Sequence, residues 1–310
     1  MNFKNSLKKI VVFLLFALSI NSCWILQATD VEFPLVQSMS YFPYSENNTL
    51  KKKDYSLSLN MYYSNIYMFD YERTTVNDME MLSSTLAFRY GFSPRVTFEL
   101  YYRFVFSFGG IMDRLIVDFH KLFGLSAGGR SEYPRNEVNY RYKDAFSHRG
   151  SPMGQSPLVL GVLGHLYSKG NFRLNGRLAL GLPLSAKPGF SSSKPFFTAG
   201  VILLYKKKNI SVNFSNHLSF FGNPNWLGDE DLKNRVFHSE VRLDYKKIFG
   251  GLLYRSSPFR MNDLANGAYQ VYIGYKIGKY FELSLVEEFP PTDTLPDVSF
   301  HLTVDLKGIL

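Results

Sequence analysis

One cysteine, Cys23, is all that 310 residues contain. It lies close to the start, so the body of the chain can form no internal disulfide and no thiolate metal site. Tryptophan is nearly as scarce, with two residues against 28 phenylalanines and 21 tyrosines. Long apolar runs are missing too: beyond the N-terminus nothing approaches the roughly 20 apolar residues of a membrane-crossing helix, and the mean hydropathy is −0.11. Any membrane span must therefore be built from strands. Charge of one sign is only modestly in surplus, +9 at neutral pH, and it falls by three when Lys4, Lys8 and Lys9 of the leader are set aside. That balance favours anionic ligands or lipid headgroups, and no nucleic acid is expected as a partner.

What is present begins with a leader. Lys4, Lys8 and Lys9 precede the apolar run Ile10 to Ile20, the layout of a bacterial export signal over residues 1–28. Ile20, Asn21, Ser22 and Cys23 stand where a lipoprotein signal places its lipid-accepting cysteine, which makes Cys23 a candidate for lipidation. An ordinary cut near Ala28 is the alternative. Either way the protein leaves the cytoplasm, with residues 29–54 as a lead-in and 55–310 as one domain.

Alternation is the strongest signal in that domain. From Arg95 to Phe106, Val96, Phe98, Leu100, Tyr102, Phe104 and Phe106 fall on one face, and Arg95, Thr97, Glu99, Tyr101, Arg103 and Val105 on the other. This is the period of a strand, not of a helix. Phe172 to Leu182 repeats it, with Arg173 and Arg177 on the polar side, and Ile210 to Phe220 repeats it again. Less cleanly the pattern covers Tyr55 to Tyr63, Leu82 to Tyr90, Leu158 to Ser168, Phe196 to Tyr205, Phe237 to Tyr245, Ile248 to Arg255, Tyr269 to Ile277, Phe281 to Glu288 and Val298 to Leu306. The segments are about the 9–11 residues that a tilted membrane strand requires. Short connections such as 91–94, 206–209 and 278–280 alternate with long ones such as 130–155, 184–195 and 223–233. The pattern predicts an all-β protein: an antiparallel transmembrane β-barrel of about 12 strands in the bacterial outer membrane, in contact with membrane lipids. A soluble sandwich or lipocalin-like barrel would alternate as well. Aromatic residues at segment ends and mixed charge on the opposite faces favour the membrane. Turning the charged faces outward would set Arg95, Arg103, Arg173 and Arg177 in hydrocarbon, at roughly 2–4 kcal/mol for each near the midplane.

One stretch breaks the rule. In Phe108 to Leu125, "FGGIMDRLIVDFHKLFGL", Ile111, Leu115, Phe119 and Leu122 recur at helical spacing, while Gly109 and Gly110 end the preceding strand and Gly124 can stop the helix. The expectation is a short amphipathic helix in the loop after strand 3 that folds into or over the mouth. The residues expected to line or constrict the lumen are Arg103, Asp113, Asp118, His120, Arg130, Arg173 and Arg177, with Asp113 and His120 tying the helix to Arg103 or Arg177. A catalytic reading of Asp113, Asp118 and His120 is weaker. Residues two apart on a helix point to different faces, and His120 lies in no HExxH arrangement. No enzyme activity, metal or cofactor is expected.

The segment "GGIMDRLIVDFHKLFGLSAGGRSEYPRN", with Gly109, Gly110, Asp113, Phe119, His120, Phe123, Gly124, Gly128, Gly129 and Arg130, resembles the hallmark of an uncharacterised bacterial family of outer-membrane β-barrels. An early "YSN" (Tyr63, Ser64, Asn65) and the acidic, proline-containing approach to a final strand, Val286 to Val304, are similar too. "SAKPGFSSSKP" after Leu184 and the terminal "DLKGIL" depart from that pattern. The resemblance implies fold and location but no activity. The function expected is a channel or small-solute transporter constricted by the 109–130 loop helix, with small anionic solutes as its cargo. The alternatives are a non-conducting structural or surface-interaction barrel and, with less support, a membrane-embedded lipid hydrolase or acyltransferase.

Overall fold

The computed structural model describes residues 47–69, 74–110, 112–123, 137–150, 152–227, 232–256, 267–289 and 299–307. The expected export signal with Cys23, and Arg130, lie outside the described residues. The wall is built from β1 (Tyr55–Phe69), β2 (Thr75–Ser93), β3 (Val96–Phe108), β7 (Leu158–Lys169), β8 (Phe172–Leu182), β9 (Phe196–Lys207), β10 (Ile210–Phe221), β11 (Arg235–Tyr245), β12 (Ile248–Ser256), β13 (Gly267–Ile277), β14 (Phe281–Phe289) and β15 (Ser299–Asp305). Each pairs antiparallel with its neighbour, and β15 returns to β1 with Ser58 opposite Asp305 and Ser64 opposite Ser299. Twelve strands thus close on themselves and leave no edge, which hydrocarbon could not satisfy. Between β3 and β7 come the helix α1 (Met112–Phe123) and three short strands, β4 (Asn139–Tyr142), β5 (Phe146–Arg149) and β6 (Met153–Gln155), which extend the wall at the rim that carries the long loops.

The closing seam is fastened at the other, short-turn rim. Lys307 Nζ hydrogen-bonds Asp54 and the carbonyl of Tyr55 (2.8 Å) and lies 4.4 Å from the centre of the Tyr55 ring. The bond from Lys307 holds the Asp54 carboxyl below the usual carboxylate range.

Burial is inverted relative to a soluble domain. Leu86, Phe88, Phe98, Leu100, Phe104, Leu178, Leu180, Leu203, Phe214, Ile273 and Leu283 are exposed, whereas Arg89, Glu99, Arg177, His217, His238, Glu240, Arg242 and Arg255 are buried. Strand alternation puts the first set on the outside of the wall and the second in the lumen. Water could not accept so continuous an apolar belt; lipid can.

The lumen itself is layered. At the long-loop end Met79, Tyr101, Phe196 and Phe221 point inward from the wall and pack with Tyr140 and Phe146 of the β4–β5 hairpin, Phe190 and Trp226. Tyr140 meets Phe190 edge-on (ring centres 5.2 Å apart) and donates its hydroxyl to Gly189 O at 2.6 Å. The middle is polar, with Tyr272 Oη on Glu240 Oε1 at 2.5 Å and His301 stacked on Tyr62 at 4.2 Å.

Candidate functional site

Toward the short-turn rim the sequence sets up a charged crossing before any distant contact is made. A tight connection at residues 94–95 makes β2 and β3 a hairpin in which Arg89 lies directly opposite Glu99, and both point into the lumen. Next to β3, β7 places Gly161 opposite Glu99, and β8 follows. A Cβ at position 161 would stand 3.2 Å from both Cβ and Oε2 of Glu99. With only hydrogen there, Arg177 on β8 spans β7 and reaches the carboxylate. Its Nε donates to Glu99 Oε2 at 2.9 Å and its Nη2 to Oε1 at 3.2 Å, while Arg89 Nε donates to Oε1 at 3.2 Å. The side chains of Arg177 and Glu99 are completely buried. One carboxylate therefore holds two guanidiniums in charge-assisted geometry.

The second guanidinium nitrogen of Arg177 faces a segment of chain that is no part of the wall. Residues Asn47 to Leu50 enter the short-turn mouth ahead of β1, and the lumen binds them at five points. Arg177 Nη1 donates to Asn47 Oδ1 (3.0 Å), Asn175 Nδ2 to Asn47 O (2.6 Å), Arg89 Nη2 to Asn48 O (2.6 Å) and Arg173 Nη1 to Asn48 Oδ1 (3.2 Å), and Leu50 N donates to Thr97 Oγ1 (2.8 Å). Asn47 is 1% exposed. On release of this strap each bond exchanges for one to water, at about 0.5–1.5 kcal/mol net and about 1.5–3 kcal/mol where a guanidinium donates. His217 lies beside the crossing, its Nε2 3.5 Å from Arg177 Nη1 and its ring over Gly200, where a Cβ would come within 2.1 Å.

Past the strap a cavity of about 430 Å³ opens between β9, β10, β11, β13 and β14. Arg242 Nη2 bridges Asp244 Oδ1 and Glu282 Oε2, each at 3.0 Å, and Lys276 Nζ closes the square at 2.7 and 3.5 Å. Lys206, Lys208 and Lys246 line the remainder.

Of the residues expected to form a constriction, Arg173 and Arg177 are brought together at the strap. Arg103 is in the lumen but donates to Thr85 Oγ1 (2.8 Å), away from that cluster. The helix is a correction. α1 begins on the outer side of the wall, not in the mouth: Met112 N donates to Glu80 Oε1 at 2.5 Å, Tyr63 Oη binds the same carboxylate, and a Cβ on Gly110 would overlap it. Glu80 alternates with the inward Met79 and Met81 and pairs with Asn65 and Phe108, all on the outward face. An amphipathic helix beside an apolar wall lies naturally at a membrane interface. Arg177 is tied to β3 and Arg103 to β2. Asp118 is exposed and pairs with Arg114 at 3.7 Å, a contact worth little in water. The side chains of Asp113 and His120 lie outside the described residues. Sequence reasoning missed Asn47, Asn48 and Arg89. For Arg89 a signal existed, because a hairpin turning at 94–95 sets residues 89 and 99 face to face.

Among solved structures the chain is similar to the COG4313 outer membrane channel from Pseudomonas putida F1, with 10% identity, a TM-score of 0.51, and 85% of this chain and 99% of that one covered. It is also similar to the toluene transporter TodX of P. putida (8%, TM-score 0.37, 81% and 90% covered) and to outer membrane phospholipase A from Escherichia coli (12%, TM-score 0.38, 89% and 97%). The likeness to the COG4313 channel shows the fold: a closed 12-strand barrel of the bacterial outer membrane. The expectation that the chain is not an enzyme is corrected: an enzyme, phospholipase A, stands among the barrels it is similar to. No curated protein matches the chain. The profile described as "Protein of unknown function (DUF3187)" matches residues 25–307, and the chain belongs to that family.

Proposed function

We propose that the protein is an outer-membrane channel for small polar solutes whose lumen is closed at the short-turn end by the Asn47 to Leu50 strap. The observation that carries this is the nature of the strap's grip. Five hydrogen bonds from the polar lumen hold a segment outside the sheet, so it can leave without breaking the wall. A permanent plug would be expected to bury mainly apolar side chains; this one presents two asparagines and a threonine beside a single leucine, Leu50.

Liposome swelling tests the reading. With residues 47–50 replaced by Gly-Ser-Gly-Ser in the full chain, amino-acid-sized solutes are expected to enter several times faster than through the wild type, and a trisaccharide to remain excluded. Rates equal to protein-free liposomes for both proteins would sink the channel reading. A second reading, a non-conducting barrel whose loops meet partners, is favoured by the aromatic cluster around Tyr140, Phe146 and Phe190 at the long-loop end. It gains if removing the strap changes nothing.

A further inference from the structure

At two places in the lumen cations meet carboxylates: Glu99 is shared by Arg89 and Arg177, and Arg242 and Lys276 share Asp244 and Glu282. At the cavity three ammonium groups remain. Lys206, Lys208 and Lys246 line it, and among the described residues none of them has a carboxylate partner. Lys208 and Lys246 are fixed in position by tight turns with φ of 52° and 57°.

A second observation is independent of charge. Asn47, on the cavity wall, has its Oδ1 and its carbonyl engaged by Arg177 and Asn175, yet its buried Nδ2 has no partner. Across the cavity the amide of Asn213, 6% exposed, is also unengaged at Oδ1, and turned by half a rotation it would offer its own N–H pair. A buried amide donor without an acceptor costs about 1–3 kcal/mol. It marks a place where an acceptor belongs.

We propose that this vestibule binds a small free oxyanion, a solute carrying a carboxylate or phosphate group. Asn47 Nδ2 donates to one oxygen, and Lys206, Lys208 and Lys246 balance the charge. A cation would face a net excess of three positive charges, and a cavity of about 430 Å³ suits a small molecule. A lipid headgroup offers the same chemistry, but the lining residues lie on the lumen side of the wall, where its acyl chains could not remain in hydrocarbon. The site gives the solute-channel reading a substrate class and rests on that reading for its role. Binding itself does not require conduction, so a barrel that binds but takes up no solute would leave the site standing and remove the channel.

The test is calorimetric titration of the full chain, folded in phosphatidylcholine nanodiscs at low ionic strength, with inorganic phosphate and with succinate. Saturable binding at one site is expected, weakened at least tenfold in the double variant Lys206→Ala, Lys208→Ala. It should stay within twofold in Lys247→Ala, Lys279→Ala, which removes equal charge from the exposed outside of the same rim. No saturable binding, or equal weakening in both variants, would overturn the proposal. Native mass spectrometry from nanodiscs containing phosphatidylglycerol separates the two sources. Equal retention of that lipid by wild type and Lys206→Ala, Lys208→Ala supports a free solute. Retention lost only in this variant assigns the site to a headgroup and overturns it.

Discussion

Replacing Glu99 by alanine is expected to lower the unfolding free energy by about 3–5 kcal/mol, the usual cost of removing one partner from a buried ion pair. The reason is local. Glu99 is the shared counter-charge of Arg89 and Arg177, and without it two guanidiniums face each other across the lumen. Arg177 would keep Asn47 and Arg89 would keep the carbonyl of Asn48, but neutral acceptors cannot replace a carboxylate. Glu99→Gln keeps the shape and loses the charge, so its loss should be almost as large. Glu99→Leu with Arg177→Met and Arg89→Met removes all three charges of the crossing and is expected to recover part of the stability. Urea unfolding in lipid vesicles, followed by far-ultraviolet circular dichroism, reads all three. A Glu99→Ala variant as stable as wild type would mean that the crossing does not hold the short-turn end together.

The second large effect concerns the outer face. Leu178 neighbours Arg177 in sequence and points the opposite way, 55% exposed on the apolar belt of β8. Leu178→Arg is expected to cost about 2–4 kcal/mol in lipid, because it sets a cation near the middle of the hydrocarbon. The same arginine at Ser211, which faces the lumen, should leave stability within about 1 kcal/mol. Reversed costs would invert the wall.

Much of this wall was legible in the residues. All twelve alternating segments became barrel strands, because lipid on one side and a polar lumen on the other impose period 2 for as long as a strand is within the membrane. Beyond the membrane the rule lapses, and so did the reading. β2 begins at Thr75 and not near Leu82, since at that end its polarity is reversed, with Asp78 and Glu80 outward and Met79 and Met81 inward. For the same reason β4, β5 and β6 passed as loop. The helix between Met112 and Phe123 was foreseen as an element but assigned to the mouth. Its amphipathic pattern says only that it has two faces; which environment each meets is decided by Glu80, thirty residues earlier. The strap was least visible. "NNTL" has no periodicity and no motif, and its role arises from distant partners: Arg89 on β2, Thr97 on β3 and, more than a hundred positions away, Arg173, Asn175 and Arg177 on β8.

The strap as closing element can be tested by locking it. In a Cys23→Ser background, Thr97→Cys puts one thiol in place of the hydroxyl that the Leu50 amide meets at 2.8 Å, and Leu50→Cys puts the other on the side chain of that same strap residue. Planar-bilayer recordings of this one protein, oxidised and then reduced, compare a fixed strap with a releasable one. The account predicts almost no channel openings in the oxidised form and a return of openings, at the size of the wild type, on reduction. Equal conductance in both redox states would contradict it.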